Sequence, residues 1–409
     1  MALYPMQNTS WAAQENRYGD DKVFDACGLF GFIDTSGQLH DGGPIVTALT
    51  NMKERGNGLG AGYAAYGLYG EFADHYCFHV MCRDAASRVE LDDYLRRHFA
   101  VVHDEPIPSR QVKGILDAPL VWRYFLFPQS SHMAGRSEED YIVHEVMRIN
   151  STLQGSFVFS SGKNMGIFKG VGHPEQIAEF YRIEEYKAYM WTAHTRFPTN
   201  TPGWWGGAHP FGLLDWSVVH NGEISSYGIN RRHLEMHGYM CTMQTDTEVI
   251  AYAADLLMRR HKLPPEVASL VFASPLWNEF EEMTPKKQQM MRAIRQTYGS
   301  LLLNGPFTVI IARDGEMIGL GDRIRLRPLA AGVKGDVLYV SSELSAIHLV
   351  EPDIEVTWTP LGGEAVIGRL GEAPIAPAKA RPSIKRALAQ MGLDVPLTMA
   401  DMAEEVGHA

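Results

Sequence analysis

Short β-rich runs bounded by turn residues recur along this chain, with stretches of helical period between them. The first run, Cys27-Gly28-Leu29-Phe30-Gly31-Phe32-Ile33-Asp34, is a short buried strand that stops at the turn Ser36-Gly37. Further strands are expected at 63–69, 189–193, 217–220, 307–312, 337–341 and 354–358. Helical spacing places Ile45, Val46, Leu49 and Met52 on one face of a helix over 44–54, and a second helix is expected over 245–258. Short strands interleaved with helices imply an α+β architecture of stacked sheets covered by helices.

The 409 residues suffice for one large layered domain or two average ones. The stretch 1–26 is polar and aperiodic and reads as a leader, with the folded domain over 27–375. An α+β insertion is expected at about 70–187, and 376–409 is an Ala/Pro-rich tail that turns helical. A formal net charge of -11 argues against a nucleic-acid partner. No stretch reaches the roughly 18 uninterrupted apolar residues of a membrane span. Cys27, Cys77, Cys82 and Cys241 form no C-x-x-C pair, so no metal site is expected, and few cysteines in a chain this long fit a reducing, cytoplasmic compartment.

Four segments carry chemistry. Cys27 alone would pass as a small core hydrophobe. It stands, however, where the leader meets the first strand. Cleavage after Ala26 would give it a free α-amine, with an ordinary pKa of about 7.7–8.0, as its own base. In His194-Thr195-Arg196-Phe197-Pro198-Thr199-Asn200, the Arg196 fork matches a carboxylate and Thr199 adds a hydroxyl donor. Trp204 and Trp205, among glycines, form either a mobile lid or a packed loop. In His220-Asn221-Gly222-Glu223, the Asn221 amide and the Gly222 N–H can make an oxyanion hole, although Asn-Gly by itself is a hairpin signal. Asp246, in Thr245-Asp246-Thr247-Glu248, is either a helix-capping residue or a seat for a substrate ammonium. Together these groups complement L-glutamine presenting its side-chain amide to a thiol.

With Cys27-Gly28-Leu29-Phe30-Gly31, Arg55-Gly56, His194-Thr195-Arg196, His220-Asn221-Gly222-Glu223 and Thr245-Asp246-Thr247-Glu248 in this order, the chain resembles the class II glutamine amidotransferases. Asp322-Arg323, Arg327-Pro328-Leu329 and Ser341-Ser342-Glu343 extend the resemblance to about residue 370. Within that family, 193–200 with Trp204, 52–58 and 162–170 resemble the stand-alone amidotransferase subunit of archaeal-type split glutamate synthase. The resemblance implies a four-layer αββα sandwich of the N-terminal-nucleophile hydrolase type. It implies Cys27 as nucleophile, Asn221 and Gly222 as oxyanion hole, and Arg196 and Asp246 as holders of the glutamine α-carboxylate and α-amine. It further implies no cofactor in this chain, and a glutamate-synthase-type partner subunit carrying FMN and an iron–sulfur cluster. Three other readings share these motifs: the glutaminase-like subunit of an N-methylglutamate synthase, a non-catalytic assembly subunit, and an N-terminal-cysteine amidase for another amide.

Overall fold

The structure is a computed structural model describing residues 27–196, 203–377 and the strand Arg381–Pro382. The apolar runs assemble into two antiparallel sheets. The larger holds eight strands in the order Arg381–Pro382, Val356–Trp358, Ala330–Lys334, Val337–Ser341, Gly28–Asp34, Met190–Thr195, Ala61–Tyr66 and Met165–Gly170. The smaller runs Phe211–Leu213, Trp216–Gly222, Phe307–Arg313, Glu316–Gly321 and Val366–Arg369. All seven residues of Gly28–Asp34 are buried, which is why that strand is apolar without alternation.

The two sheets lie face to face. The Tyr66 hydroxyl reaches from the larger sheet to within 2.8 Å of Ser217 Oγ and 3.0 Å of the Ala312 carbonyl on the smaller. Helices Gly43–Asn51, Pro174–Tyr181 and Leu344–Val350 pack on the larger sheet, and Asp246–Ala254, with Tyr227–Met236 beside it, packs on the smaller. The layering is helix, sheet, sheet, helix, the αββα arrangement expected of the family.

A third, four-stranded sheet, in the order Phe99–Pro106, Leu120–Pro128, Tyr76–Cys82, Ser156–Ser160, carries helices Ala85–His98 and Glu138–Thr152. This is the insertion, but it is shorter than the expected 70–187. The chain rejoins the larger sheet at Met165–Gly170, which pairs with Ala61–Tyr66 along its whole length. Local sequence does not reveal which sheet a strand joins, because the pairing partner decides that.

Other boundaries move as well. The strand expected at 63–69 spans Ala61–Tyr66, and that expected at 354–358 shortens to Val356–Trp358. The helix expected over 245–258 is α-helical over Asp246–Ala254 and continues as a π-turn over Asp255–Arg260. Buried Asp255 accepts hydrogen bonds from the Tyr239 hydroxyl and from Arg259 Nε and Nη2, each between 2.5 and 2.8 Å. Arg259 Nη1 bonds Asp140 at the start of the inserted helix Glu138–Thr152, tying the insertion to the core. No helix among the described residues is long and apolar enough to cross a membrane. The leader, Thr199 and nearly all of the expected helical tail lie outside the described residues; of that tail, Arg381–Pro382 forms a short strand against Val356–Trp358.

Candidate active site

Cys27 stands at the head of the strand Gly28–Asp34, near the middle of the eight-stranded sheet. It is half-buried, whereas Cys77, Cys82 and Cys241 are buried in the core. Burial pushes the thiols of Cys77 and Cys241 up to about 12, so they are poor nucleophiles at neutral pH. The Cys27 carbonyl accepts a hydrogen bond from Arg55 Nε at 3.1 Å, and Arg55 Nη1 is fixed by Glu343 at 2.6 Å. The glycine after Arg55 is required by close approach: a Cβ at Gly56 would stand 2.3 Å from Thr195 Oγ1.

Arg196 follows the neighbouring strand, Met190–Thr195, whose Thr195 lies opposite Gly28. Burial lowers the affinity of its guanidinium for a proton, and its electrostatic interactions with Cys27 and Asp246 work against that. One cation is therefore within electrostatic reach of both the thiol group and the carboxylate. The Arg196 N–H bonds the Gly60 carbonyl at 2.8 Å, which anchors the glycine-rich loop alongside.

Asp246 opens the helix Asp246–Ala254, but its side chain does not cap that helix's own backbone. Its Oδ2 accepts the Ile224 N–H at 3.0 Å, and its Oδ1 lies 3.5 Å from His220 Nδ1. Burial would raise this carboxyl; the His220 ring, the Ile224 N–H and the Thr247 hydroxyl outweigh burial and hold it at about 2. The group is an anion throughout the neutral range.

Asn221 and Gly222 end the strand Trp216–Gly222, whose partner Phe307–Arg313 is far along the chain, so this Asn-Gly pair is no two-residue hairpin. Asn221 is fully buried; its Nδ2 lies 3.4 Å from Ser342 Oγ, while its Oδ1 has no hydrogen-bond partner. Gly222 adopts φ +139°, and a Cβ there would sit 2.0 Å from the Pro306 carbonyl, so only glycine fits. Ser342 Oγ also accepts the Leu29 N–H at 3.2 Å, which connects the Asn221 corner to the strand that bears Cys27.

Several groups around the site drew no sequence-based role. His194 and His209 stack at 4.1 Å beneath it, and His194 Nε2 lies 2.8 Å from the His220 carbonyl. Burial holds His194 down at about 3 and His209 well below its ordinary value, so both are neutral supports. Lys169 is buried, donates to the Gly206 carbonyl at 2.9 Å and lies over the Phe211 ring. Burial, reinforced by Arg196, lowers its ammonium to about 7. Of the tryptophan pair, Trp205 packs on Phe180 and Trp204 meets Phe157 of the inserted sheet while 40% exposed. Among the described residues no cluster of His, Cys, Asp and Glu is placed to hold a metal ion.

The family model for class-II glutamine amidotransferases matches residues 129–367, a span that contains Arg196, Asn221, Gly222 and Asp246, with Cys27 before it. An Archaeoglobus fulgidus protein is 56% identical over 354 residues, covering 86% of this chain and 94% of that one. The isomerizing glutamine–fructose-6-phosphate aminotransferase of Vibrio vulnificus is 30% identical over 169 residues, 41% of this chain and 25% of that enzyme. The large chain of the NADPH glutamate synthase of Bacillus subtilis is 28% identical over 223 residues, 48% of this chain and 14% of that chain. With more than half its length matched by the family model and the layered fold described above, this chain belongs to the class-II glutamine amidotransferases.

Proposed function

We propose that this chain is the glutaminase subunit of a split synthase: it hydrolyses L-glutamine and hands the ammonia to a glutamate-synthase-type partner. The observation that carries the reading is that Arg196 interacts electrostatically with both Cys27 and Asp246, so a thiol, a cation and an anion lie within reach of one another. Arg196 grips the glutamine α-carboxylate and Asp246 its α-ammonium, with Thr199 as a further donor. The side-chain amide is thereby directed toward Cys27. Cys27 Sγ adds to the amide carbon, and its proton passes by way of the Cys27 α-amine to the leaving nitrogen. Asn221 and Gly222 stabilise the oxyanion, and ammonia departs to leave a γ-glutamyl thioester. Water then adds to the thioester, releasing glutamate and returning the proton to sulfur. The α-amine serves as base only in a chain that starts at Cys27.

The likeness to the B. subtilis synthase large chain supports the choice of partner. In this reading that partner would hold FMN and an iron–sulfur cluster and, fed two electrons by an external reductant, would reduce the imine formed from a 2-oxo acid and ammonia. The experiment measures glutamate and ammonium released from glutamine by the chain starting at Cys27, alone and with the FMN-bearing subunit, with and without 2-oxoglutarate. Stimulation by the loaded partner is expected. Full activity alone with no association would make the protein an independent amidase, and no hydrolysis under any condition would overturn the reading.

A further inference from the structure

The family-like segments Asp322-Arg323, Arg327-Pro328-Leu329 and Ser341-Ser342-Glu343 are left with no substrate-binding group in the glutamine pocket. Arg327-Pro328-Leu329 and Ser342-Glu343 instead line a cleft of about 760 Å³, within the size range of small-molecule sites, together with Arg55, Arg325, Ser345 and Thr359.

The loop is organised around one carboxylate. Buried Asp322 accepts the backbone N–H groups of Ile324 at 3.0 Å, Leu326 at 2.8 Å and Arg327 at 3.2 Å. Its charge is spent on backbone, which holds Arg325 at φ +56° and leaves both guanidinium groups unneutralised. No carboxylate among the described residues pairs with Arg325 or Arg327, and Arg327 Nε is buried without an acceptor. Glu343, the one acidic residue lining the cleft, is taken by Arg55. In a chain of net charge -11, two unpaired arginines in a concave site with hydroxyls beside them form a complement to an anion.

We propose that this cleft binds a small carboxylate- or phosphate-bearing molecule, gripped by Arg325 and Arg327. The cleft shares a wall with the glutaminase site. Arg55 bonds the Cys27 carbonyl, and Ser342 touches both the Leu29 N–H and the Asn221 amide. Resting on the function proposed above, an anion seated there bears on the position of the nucleophile and of the oxyanion corner.

Binding is tested directly, without turnover, by calorimetric titration of the full chain with inorganic phosphate and with succinate in chloride-free buffer. Saturable binding, with the two probes competing, is expected. The double variant Arg325→Gln/Arg327→Gln should bind about tenfold more weakly or worse, the loss of charge-assisted bonds, with unchanged melting. If the double variant melts early, the exposed Arg325→Gln alone makes the comparison. Non-saturable heats, or equal affinity in the variant, would overturn the proposal. Binding of a hexaglutamate peptide but of neither small anion would reassign the cleft to an acidic protein segment. Anion binding by the full chain, with no glutamine hydrolysis by the chain starting at Cys27, would sink the functional reading and leave this one standing.

Discussion

Two buried polar clusters stand at opposite ends of the helix Asp246–Ala254 and are built differently. Around Asp255 the network closes on itself: Tyr239 and Arg259 satisfy its carboxylate, and Arg259 continues to Asp140. Around Cys27 the network stays open. Asn221 Oδ1, His220 Nε2 and His194 Nδ1 are buried with no hydrogen-bond partner. Burying an unsatisfied polar atom costs about 1–3 kcal/mol, so such atoms persist where a ligand completes them. The closed cluster joins an insertion to its core; the open one keeps bonding capacity unused among the described residues. Proximity and burial do not separate the two roles, but unmet bonding capacity does.

Substitutions sharpen this contrast. The largest effect is expected from Cys27→Ala in the open cluster, which should cut glutamine hydrolysis by about 10³-fold or more with melting unchanged. Near-normal turnover would remove Cys27 as nucleophile. Asn221→Ala should lower kcat by about 10²- to 10³-fold with little change in KM. Asp246→Asn should raise KM for glutamine by about 10- to 100-fold, the worth of a charged hydrogen bond, and kcat should change less.

The closed cluster should respond in the opposite way. Arg259→Ala strands the fully buried Asp255, so chemical denaturation should show a loss of about 3–5 kcal/mol while the folded fraction keeps its kcat. A variant that lost activity without losing stability would erase the distinction. The smallest effect concerns Glu248, a satisfied carboxyl beside the open cluster. Burial raises it from 4.5 to about 7. The folded protein therefore keeps a proton that the unfolded chain releases, and this contribution is full below pH about 4.5 and lost as pH rises through about 7. Tm of the wild type should decline across that window relative to Glu248→Gln, whose profile should be flatter.

What was legible in the sequence depended on how local the cause was. The strand after Cys27 could be read because burial on both faces writes a continuous apolar run. Asn221-Gly222 pointed to a turn from its neighbours alone; its place at a strand end beside Pro306 depends on a segment more than 80 residues away. The expected insertion runs past the inserted sheet because Met165–Gly170 differs from its predecessors only in the strand it joins. His194 and His220 lie within recognised motifs, yet the stacking of His194 on His209 and its bond to the His220 carbonyl are purely tertiary. Lys169 lies in the 162–170 segment that carries the resemblance, yet nothing local marks it as buried; its neutral-range ammonium comes from burial and from Arg196.

The strand that follows Cys27 is hydrogen-bonded on both sides, to Met190–Thr195 and to Val337–Ser341. Residues Phe30 to Ile33 are held by both neighbours at once, so their amide hydrogens reach solvent only through an opening that dismantles the larger sheet. The Cys27 sulfur is thus attached directly before what should be one of the slowest-exchanging of the described segments. Heat or denaturant cannot misplace Cys27 gradually, and loss of catalysis and loss of the native state should be a single event.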